Sequence, residues 1–233
     1  FATHNKTLRR QATRACAMLQ WNRMQRLGYT VPIGGVPRVI TAHVCRKLKL
    51  PRPTQEALSR YDSSAEYSRH RKLVIKTLGL QDLDKDAMRW ITHRAESAAS
   101  TKQELADIIN VVLEELTKQR YVLPGFTVLL RIARSAREAV NQGIYKRTVA
   151  ALDATTKQRL DALLDSHENK SDWDRLKREP KQPTTREIAS FLQHIRWLTA
   201  QAEGLPNFDG VATTKLAQLT LESRALDASQ MKA

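Results

Sequence analysis

The sequence predicts an all-α protein made of two small helical subdomains, bundles of the helix-turn-helix kind. Three observations predict it. Apolar residues recur at intervals of three and four through nearly the whole chain, which is the helical period. The 233 residues hold only 8 glycines and 8 prolines, few for a fold of short strands joined by tight turns. Asp, Ser and Thr stand at the starts of several periodic runs, where their side chains can accept from unpaired helix N–H groups.

A first helix is expected from Asn5 to Gly28, with Leu8, Ala12, Ala15 and Leu19 on one face. A loop with Pro32, Gly34, Gly35 and Pro37 follows, then a short helix from Arg38 to Leu48 that stops before Pro51. Another starts after Thr54. A longer one starts after Ser63 or Ser64 and stops at Gly79, since glycine adopts the left-handed backbone that ends helices. Asp84 caps the next, which holds Trp90. Thr101-Lys-Gln-Glu104 has capping-box spacing and is expected to open a helix reaching about Arg120.

Leu123-Pro124-Gly125 then breaks the chain, and the subdomain boundary is placed here, dividing it into residues 1–122 and 123–233. A helix from Phe126 carries Leu129, Leu130, Ala133 and Val140 on one side. Asp153 caps a helix with Leu160, Leu163 and Leu164. A polar stretch from Ser166 to Lys170 leads to a short helix around Trp173. Pro180 and Pro183 form a rigid link. Thr184-Thr-Arg-Glu187 starts a helix ending at Gly204, and a last helix runs from Val211 to Ala228. No fixed-period repeat or low-complexity segment occurs.

Charge narrows the function. The formal net charge is +15 and the pI about 10.2. Residues 1–150 hold 27 Lys and Arg against 12 Asp and Glu, whereas residues 151–233 hold 12 of each. The whole excess lies in the first two thirds. Eleven basic residues precede the first carboxylate, Glu56. Such a field attracts a polyanion, and nucleic acid fits better than a membrane. The cations are spread over several helices, no lipidation signal is present, and no apolar run nears the length of a bilayer span. Cys16 and Cys45 lie in helical stretches and read as buried thiols of a reducing compartment. A cytoplasmic, nucleoid-associated location is the expectation. The chain opens at Phe1 directly in helical sequence, as if cut from a longer polypeptide.

Three basic stripes follow helical spacing. Arg69, Lys72 and Lys76 share a face opposite Tyr67, Val74 and Leu78; Lys6, Arg10 and Arg14 align on the first helix; Arg131 and Arg134 follow the Leu-Pro-Gly break. A stripe of this kind is either an ordinary solvated face or a track for phosphates, and the local excess of positive charge favours the track. Arg134 has Glu138 one turn away as an alternative partner. His70 borders an apolar face and reads as a packed, hydrogen-bonded histidine, and the four tryptophans read as core.

Catalytic and metal motifs test poorly. Asp82, Asp84 and Asp86 imitate the opening of a calcium loop, but Ala87 stands where that loop needs glycine and His93 where it needs glutamate. A carboxylate-rich helix start accounts for them better. His43 and Cys45 have no second pair at zinc spacing. There is no phosphate-binding glycine loop and no nucleophile elbow. No cofactor, metal site or catalytic residue is expected.

Four stretches resemble the N-terminal region of the Tn-three family of replicative transposases. The first is the helix ending Gln25-Arg-Leu-Gly28, followed by Pro37 and a helix ending Leu48-Lys-Leu50. The second is Tyr67 to Gly79, similar to the family pattern Arg-x-x-His-x-x-x-Ile-x-x-x-Leu-Gly, with Tyr67 in the arginine's place and Val74 in the isoleucine's. The third is Arg120 to Arg131 with its Leu-Pro-Gly. The fourth is Leu160 to Leu164, followed by Leu176-Lys-Arg-Glu-Pro180 and Pro183.

The resemblance implies a bacterial-type transposase acting in DNA transposition and recombination. Its N-terminal helices would bind the terminal inverted repeats of a transposable element. A separate ribonuclease-H-like domain, with three carboxylates and magnesium, would join strands. No residue here matches that acidic triad. The resemblance also implies self-association through the rest of the transposase and family residues before Phe1. The expectation is specific binding of double-stranded DNA, with Lys6, Arg10, Arg14, Arg69, Lys72, Lys76, Arg131 and Arg134 on phosphates. Its rivals are a helical protein-interaction scaffold with non-specific nucleic-acid affinity and an RNA-binding module.

Overall fold

The structure, a computed structural model, describes the backbone of residues 2–29, 31–167 and 170–232, and the side chains of residues 10–29, 31–165 and 171–231. The described residues form helices α1 (Ala2–Leu27), α2 (Arg38–Lys47), α3 (Gln55–Asp62), α4 (Ala65–Thr77), α5 (Lys85–Ala99) and α6 (Leu105–Lys118). They continue with α7 (Phe126–Ala151), α8 (Ala154–Ala162), α9 (Asp172–Leu176), α10 (Thr185–Ala202), α11 (Thr213–Ala225) and α12 (Ala228–Lys232). A 3-10 turn at Ile33–Gly35 links α1 to α2. One antiparallel hairpin of two residues per strand, β1 (Ser166–His167) and β2 (Lys170–Ser171), falls in the polar link before α9. The class is all-α, as the periodicity predicts.

Local chemistry explains five of the helix starts. Side-chain oxygens of Thr54, Ser64, Asp84, Asp153 and Thr184 accept from the N–H three residues on, at 2.6 to 3.3 Å. Each satisfies a donor that the first helical turn leaves unpaired. The expected capping box at Thr101 does not form. α6 begins at Leu105, after Glu104, and Thr101 Oγ1 donates to the Ala98 carbonyl at the end of α5. The side chain serves the helix it follows, because that helix still has free carbonyls there.

The chain divides into two compact units. Unit one comprises Phe1–Arg94 and Ile109–Ile132; unit two comprises Ala95–Ile108 and Ala133–Ala233. Helices α5, α6 and α7 contribute residues to both, and Leu123-Pro124-Gly125 lies within unit one.

Unit one is organised on α1. Cys16 and Leu19 form a buried cluster with Ile33, Val36, Leu58 and Tyr61, against which Val44 and Tyr67 pack. Met24, further along, shares a second cluster with Val74, Ile75 and Val122, bordered by Trp21, Leu78 and Leu80. The apolar face read on α4 is thus the face that meets the core. The segment after α6 runs beside earlier loops: Gln81 N–H donates to the Arg120 carbonyl at 2.8 Å, Val122 N–H to that of Gln81 at 2.9 Å, and Leu123 N–H to that of Gly28 at 2.8 Å.

Unit two is held by polar ties as well as apolar packing. Trp173 Nε1 donates to the Leu226 carbonyl at 2.9 Å. Arg178 reaches Glu187 and Ser190 at 3.2 and 2.9 Å. Lys215, fully buried, donates to Gln103 Oε1, and the Gln103 amide in turn donates to Glu222 at 3.0 Å. The four tryptophans expected in the core are half-buried instead.

Candidate nucleic-acid interface

The surface of unit one is built from helices that spend their apolar faces on α1 and leave cations outside. On α4, the cap at Ser64 starts the helix and the Val74 and Ile75 side chains point to the core. Arg69, Lys72 and Lys76 consequently stand exposed. Their neighbour Arg71 is different: its guanidinium grips the Asp82 carboxylate through two bonds of 2.5 and 2.7 Å. That hydrogen bonding holds the Asp82 carboxyl below the usual carboxylate range. Arg71 therefore ties α4 to the loop that follows it and is not a free cation.

Arg10 and Arg14 are exposed on the N-terminal half of α1. Lys6 lies in the same helix, but its side chain is outside the described residues. Gln20 meets the first turns of α4 through the Tyr67 carbonyl, and Met24 shares a cluster with Val74 and Ile75. The two helices run in the same sense. Arg14 therefore lies before the level of the α4 stripe; a nearby cleft of about 370 Å³ is lined from α1 by Ala12, Thr13 and Cys16, with Arg52, Arg60 and Glu66 among its other walls, and not by Arg14.

Arg131 and Arg134 are exposed on α7. Among the described residues none of the seven cations Arg10, Arg14, Arg69, Lys72, Lys76, Arg131 and Arg134 is held in an ion pair, and Glu138 takes a hydrogen bond from Gln142. The structure gathers Arg69, Lys72 and Lys76 on one exposed face of α4.

Helical-stripe spacing does not reveal a further basic group. Arg38, Arg46, Lys47, Lys49 and Arg52, on and just after α2, are all exposed, and none is in an ion pair among the described residues. The sequence does carry a signal for them, the absence of any carboxylate before Glu56. Spacing misses them because on α2 only Arg38, Arg46 and Lys47 are basic, with seven residues between the first and the other two, and Lys49 and Arg52 lie beyond the helix.

His70 Nδ1 lies 2.8 Å from the Tyr61 hydroxyl. Gln20 Nε2 donates to the Tyr67 carbonyl, so its Oε1 faces Tyr61 and takes the hydroxyl proton at 2.9 Å. His70 must then donate Nδ1–H to the Tyr61 oxygen. This histidine is a member of a packed network, as expected.

The three carboxylates that imitate a calcium loop each have a partner. Asp82 holds Arg71, Asp84 caps α5 through Ala87 N–H at 2.8 Å, and Asp86 pairs with Arg89. Among the described residues no group of three or more His, Cys, Asp or Glu side chains is placed to hold a metal ion. No described helix is long and apolar enough to cross a membrane.

The model of the family described as "Domain of unknown function (DUF4158)" matches residues 2–136. The chain belongs to the DUF4158 family. The DUF4158 match takes in α1 to α6, the Leu-Pro-Gly break and the first turns of α7, so all eight candidate cations lie inside it. Most of unit two lies beyond it. No curated protein matches the chain.

Proposed function

We propose that this DUF4158 chain binds duplex DNA as the non-catalytic N-terminal region of a transposase, at the terminal inverted repeats of its element. One observation carries the reading: within the stretch that holds the whole basic excess, the described cations Arg10, Arg14, Arg69, Lys72, Lys76, Arg131 and Arg134 stand exposed on helices and in no ion pair among the described residues. Cations left in water can displace the counter-ions condensed on DNA phosphates, whereas cations spent in ion pairs cannot. On this reading residues 1–122 form the principal DNA-binding subdomain. Residues 123–233, with Arg131 and Arg134 near their start, extend the contact or pack on the rest of the transposase.

A second role, binding further protein, is favoured in unit two by Ile188, Leu192 and Ile195. They are exposed at helical spacing on α10, on the portion of the chain with no net charge. Sedimentation of the chain alone and with the rest of the transposase tests it; a monomer that stays apart from it removes this role.

The principal test is binding to the element's terminal repeat and to a scrambled duplex of equal length across a salt series. The expected result is a preference for the repeat that persists as salt rises. Removing Arg69, Lys72 and Lys76 together should reduce the slope of log affinity against log salt by roughly 0.9 for each phosphate left without its cation. Equal affinity for both duplexes, or a slope unmoved by the triple variant, would overturn it. Tighter binding to duplex RNA than to duplex DNA would favour an RNA-binding module instead.

A further inference from the structure

We infer that α2 is the element that reads base edges, entering the major groove with the face made by Val39, Ile40, His43, Arg46 and Lys47. The inference rests on the duplex-binding reading above and names which helix gives it sequence preference.

The face follows from burial. Thr41 and Cys45 are buried and Val44 packs on the cluster around Leu19. At the 3.6-residue period, positions 39, 40, 43, 46 and 47 fall within an arc of about 120° on the opposite side, with Ala42 and Arg38 flanking it. All five are exposed. Val39 is 80% exposed and Ile40 43%, and no large apolar side chain among the described residues is more open than Val39. A single exposed aliphatic residue needs no explanation. Two adjacent ones, on a helix face whose other members are a histidine, an arginine and a lysine, are a different matter. Methyl groups between cations suit the major groove, where each thymine presents a C5 methyl and each guanine the N7 and O6 acceptors that arginine or lysine takes.

Charge complementarity selects the occupant. α2 and its flanks hold Arg38, Arg46, Lys47, Lys49 and Arg52, and no carboxylate lies between Phe1 and Glu56. A protein partner would have to be strongly acidic to cover such a face, whereas duplex DNA supplies an anionic rim around apolar and acceptor groups. The helix is also rigidly placed. Pro37 starts it, and its end is closed by Lys49 N–H to the Arg46 carbonyl at 3.2 Å and Leu50 N–H to the Cys45 carbonyl at 2.9 Å. A ten-residue helix fits within the groove's roughly 12 Å width with its axis inclined. α4 carries one exposed apolar residue, Leu73, beside its cations and opens with Glu66, which suits a backbone contact better.

The test is selection of bound sequences from a random duplex pool by the full 233-residue chain, followed by affinity measurements on the winner and a scramble of it. Two variants are compared: Val39→Ser/Ile40→Ser/His43→Ala on α2 and Arg69→Ala/Lys72→Ala/Lys76→Ala on α4. Thermal melting checks that both fold. The α2 variant should keep its affinity for scrambled duplex within about threefold, and lose about tenfold or more of its preference for the selected site. The α4 variant should weaken on both duplexes alike and keep the selected motif. An α2 variant that selects the same motif with the same preference overturns this inference and leaves duplex binding standing. So does an α4 variant that erases the motif. A wild-type chain that binds duplex but selects no motif overturns it together with specific recognition, and one that does not bind duplex overturns the proposed function as well.

Discussion

Asp62 Oδ2 accepts the backbone N–H of Gly34 at 2.7 Å, and its other oxygen takes that of Ile33 at 2.6 Å. The last residue of α3 therefore fixes the turn that precedes α2. Gln55 secures the same turn from the other side, its Nε2 donating to the Gly34 carbonyl at 2.8 Å. Bonds to an ionised acceptor are roughly twice as strong as neutral ones. Asp62→Ala should cost about 2–3 kcal/mol, since two backbone donors lose a charged acceptor. Asp62→Asn, which keeps one acceptor, should cost about half as much. Urea unfolding measures both; a change below the error of the midpoint would show that the turn stands without the carboxylate.

Lys49 and Arg120 occupy the left-handed position after α2 and α6, with φ of 52° and 56°, where helices usually place glycine. The two cases differ. The Arg120 guanidinium caps the end of α4 through the Leu78 and Gly79 carbonyls at 2.7 and 3.1 Å. The Lys49 ammonium is exposed and makes no such bond among the described residues. Lys49→Gly should therefore stabilise the fold by about 0.5–1 kcal/mol by relieving the strained backbone, while lowering affinity for duplex DNA. Melting and a salt-series titration on the same protein separate the effects. Higher stability with unchanged affinity would mean that this lysine touches no phosphate.

Much of this architecture is legible in the sequence. Periodicity marks the inward faces of α1, α4 and α7, since amphipathic helices record their own burial in sequence. Caps at Thr54, Ser64, Asp84, Asp153 and Thr184 are short-range chemistry and equally readable. Thr101 is not, because whether a threonine serves the helix behind or ahead of it depends on which backbone groups are still free. Asp62 is invisible for the same reason on a larger scale: its donors lie 28 and 29 residues away. The division into units that interleave at α5, α6 and α7 cannot be read either, because nothing in a helix's own period says which neighbours it serves.

Gln103, whose spacing suggests the middle of a capping box, sits instead buried in a hydrogen-bonded chain between the buried Lys215 and the exposed Glu222. Desolvation pushes the Lys215 ammonium below the ordinary lysine range, with Arg137 adding to it. Lys215→Met should cost about 2–4 kcal/mol, because it strands the Gln103 oxygen in a buried site. Adding Gln103→Leu should recover part of that loss, giving a coupling of about 1 kcal/mol or more in a double-mutant cycle. Strict additivity would show that the two side chains are independent.

Burial also governs the thiol in unit one. It pushes Cys16 from its ordinary value of 9.0 to about 12, with Asp62 and then Cys45 adding to the effect. The folded state thus holds this proton more tightly than the unfolded state. The stabilisation is complete below about pH 9 and is lost as pH rises toward 12, by up to about 1.4 kcal/mol per pH unit. Cys16→Ala should flatten the alkaline limb of stability against pH, though Tyr61, shifted upward by the same burial, leaves some slope behind. An unchanged limb in the variant would assign the whole effect to other groups. The native thiol should also react slowly with disulfide reagents at neutral pH.

His194 gives unit two the opposite pH response. Its ring is buried between Phe191 and Trp197, with centroids 5.6 and 5.7 Å away. Arg175 lies 4.1 Å over the Trp197 ring. Neither ring nitrogen has a hydrogen-bond partner among the described residues. Burial, then the charges of Arg178 and Arg175, holds the imidazole below its ordinary value of 6.5. Here the unfolded state binds the proton first. Stability should therefore fall as pH drops below about 6.5, since protonation would place a cation in an apolar stack beside two arginines. His194→Phe keeps a ring of similar size in the stack and removes the titration. Its stability should be close to wild type at about pH 8 and higher at about pH 5, the gap widening as pH falls. Equal acid sensitivity in the two proteins would locate the loss in carboxylates such as Asp82 and Asp153, whose hydrogen bonds in the fold also give way to protons.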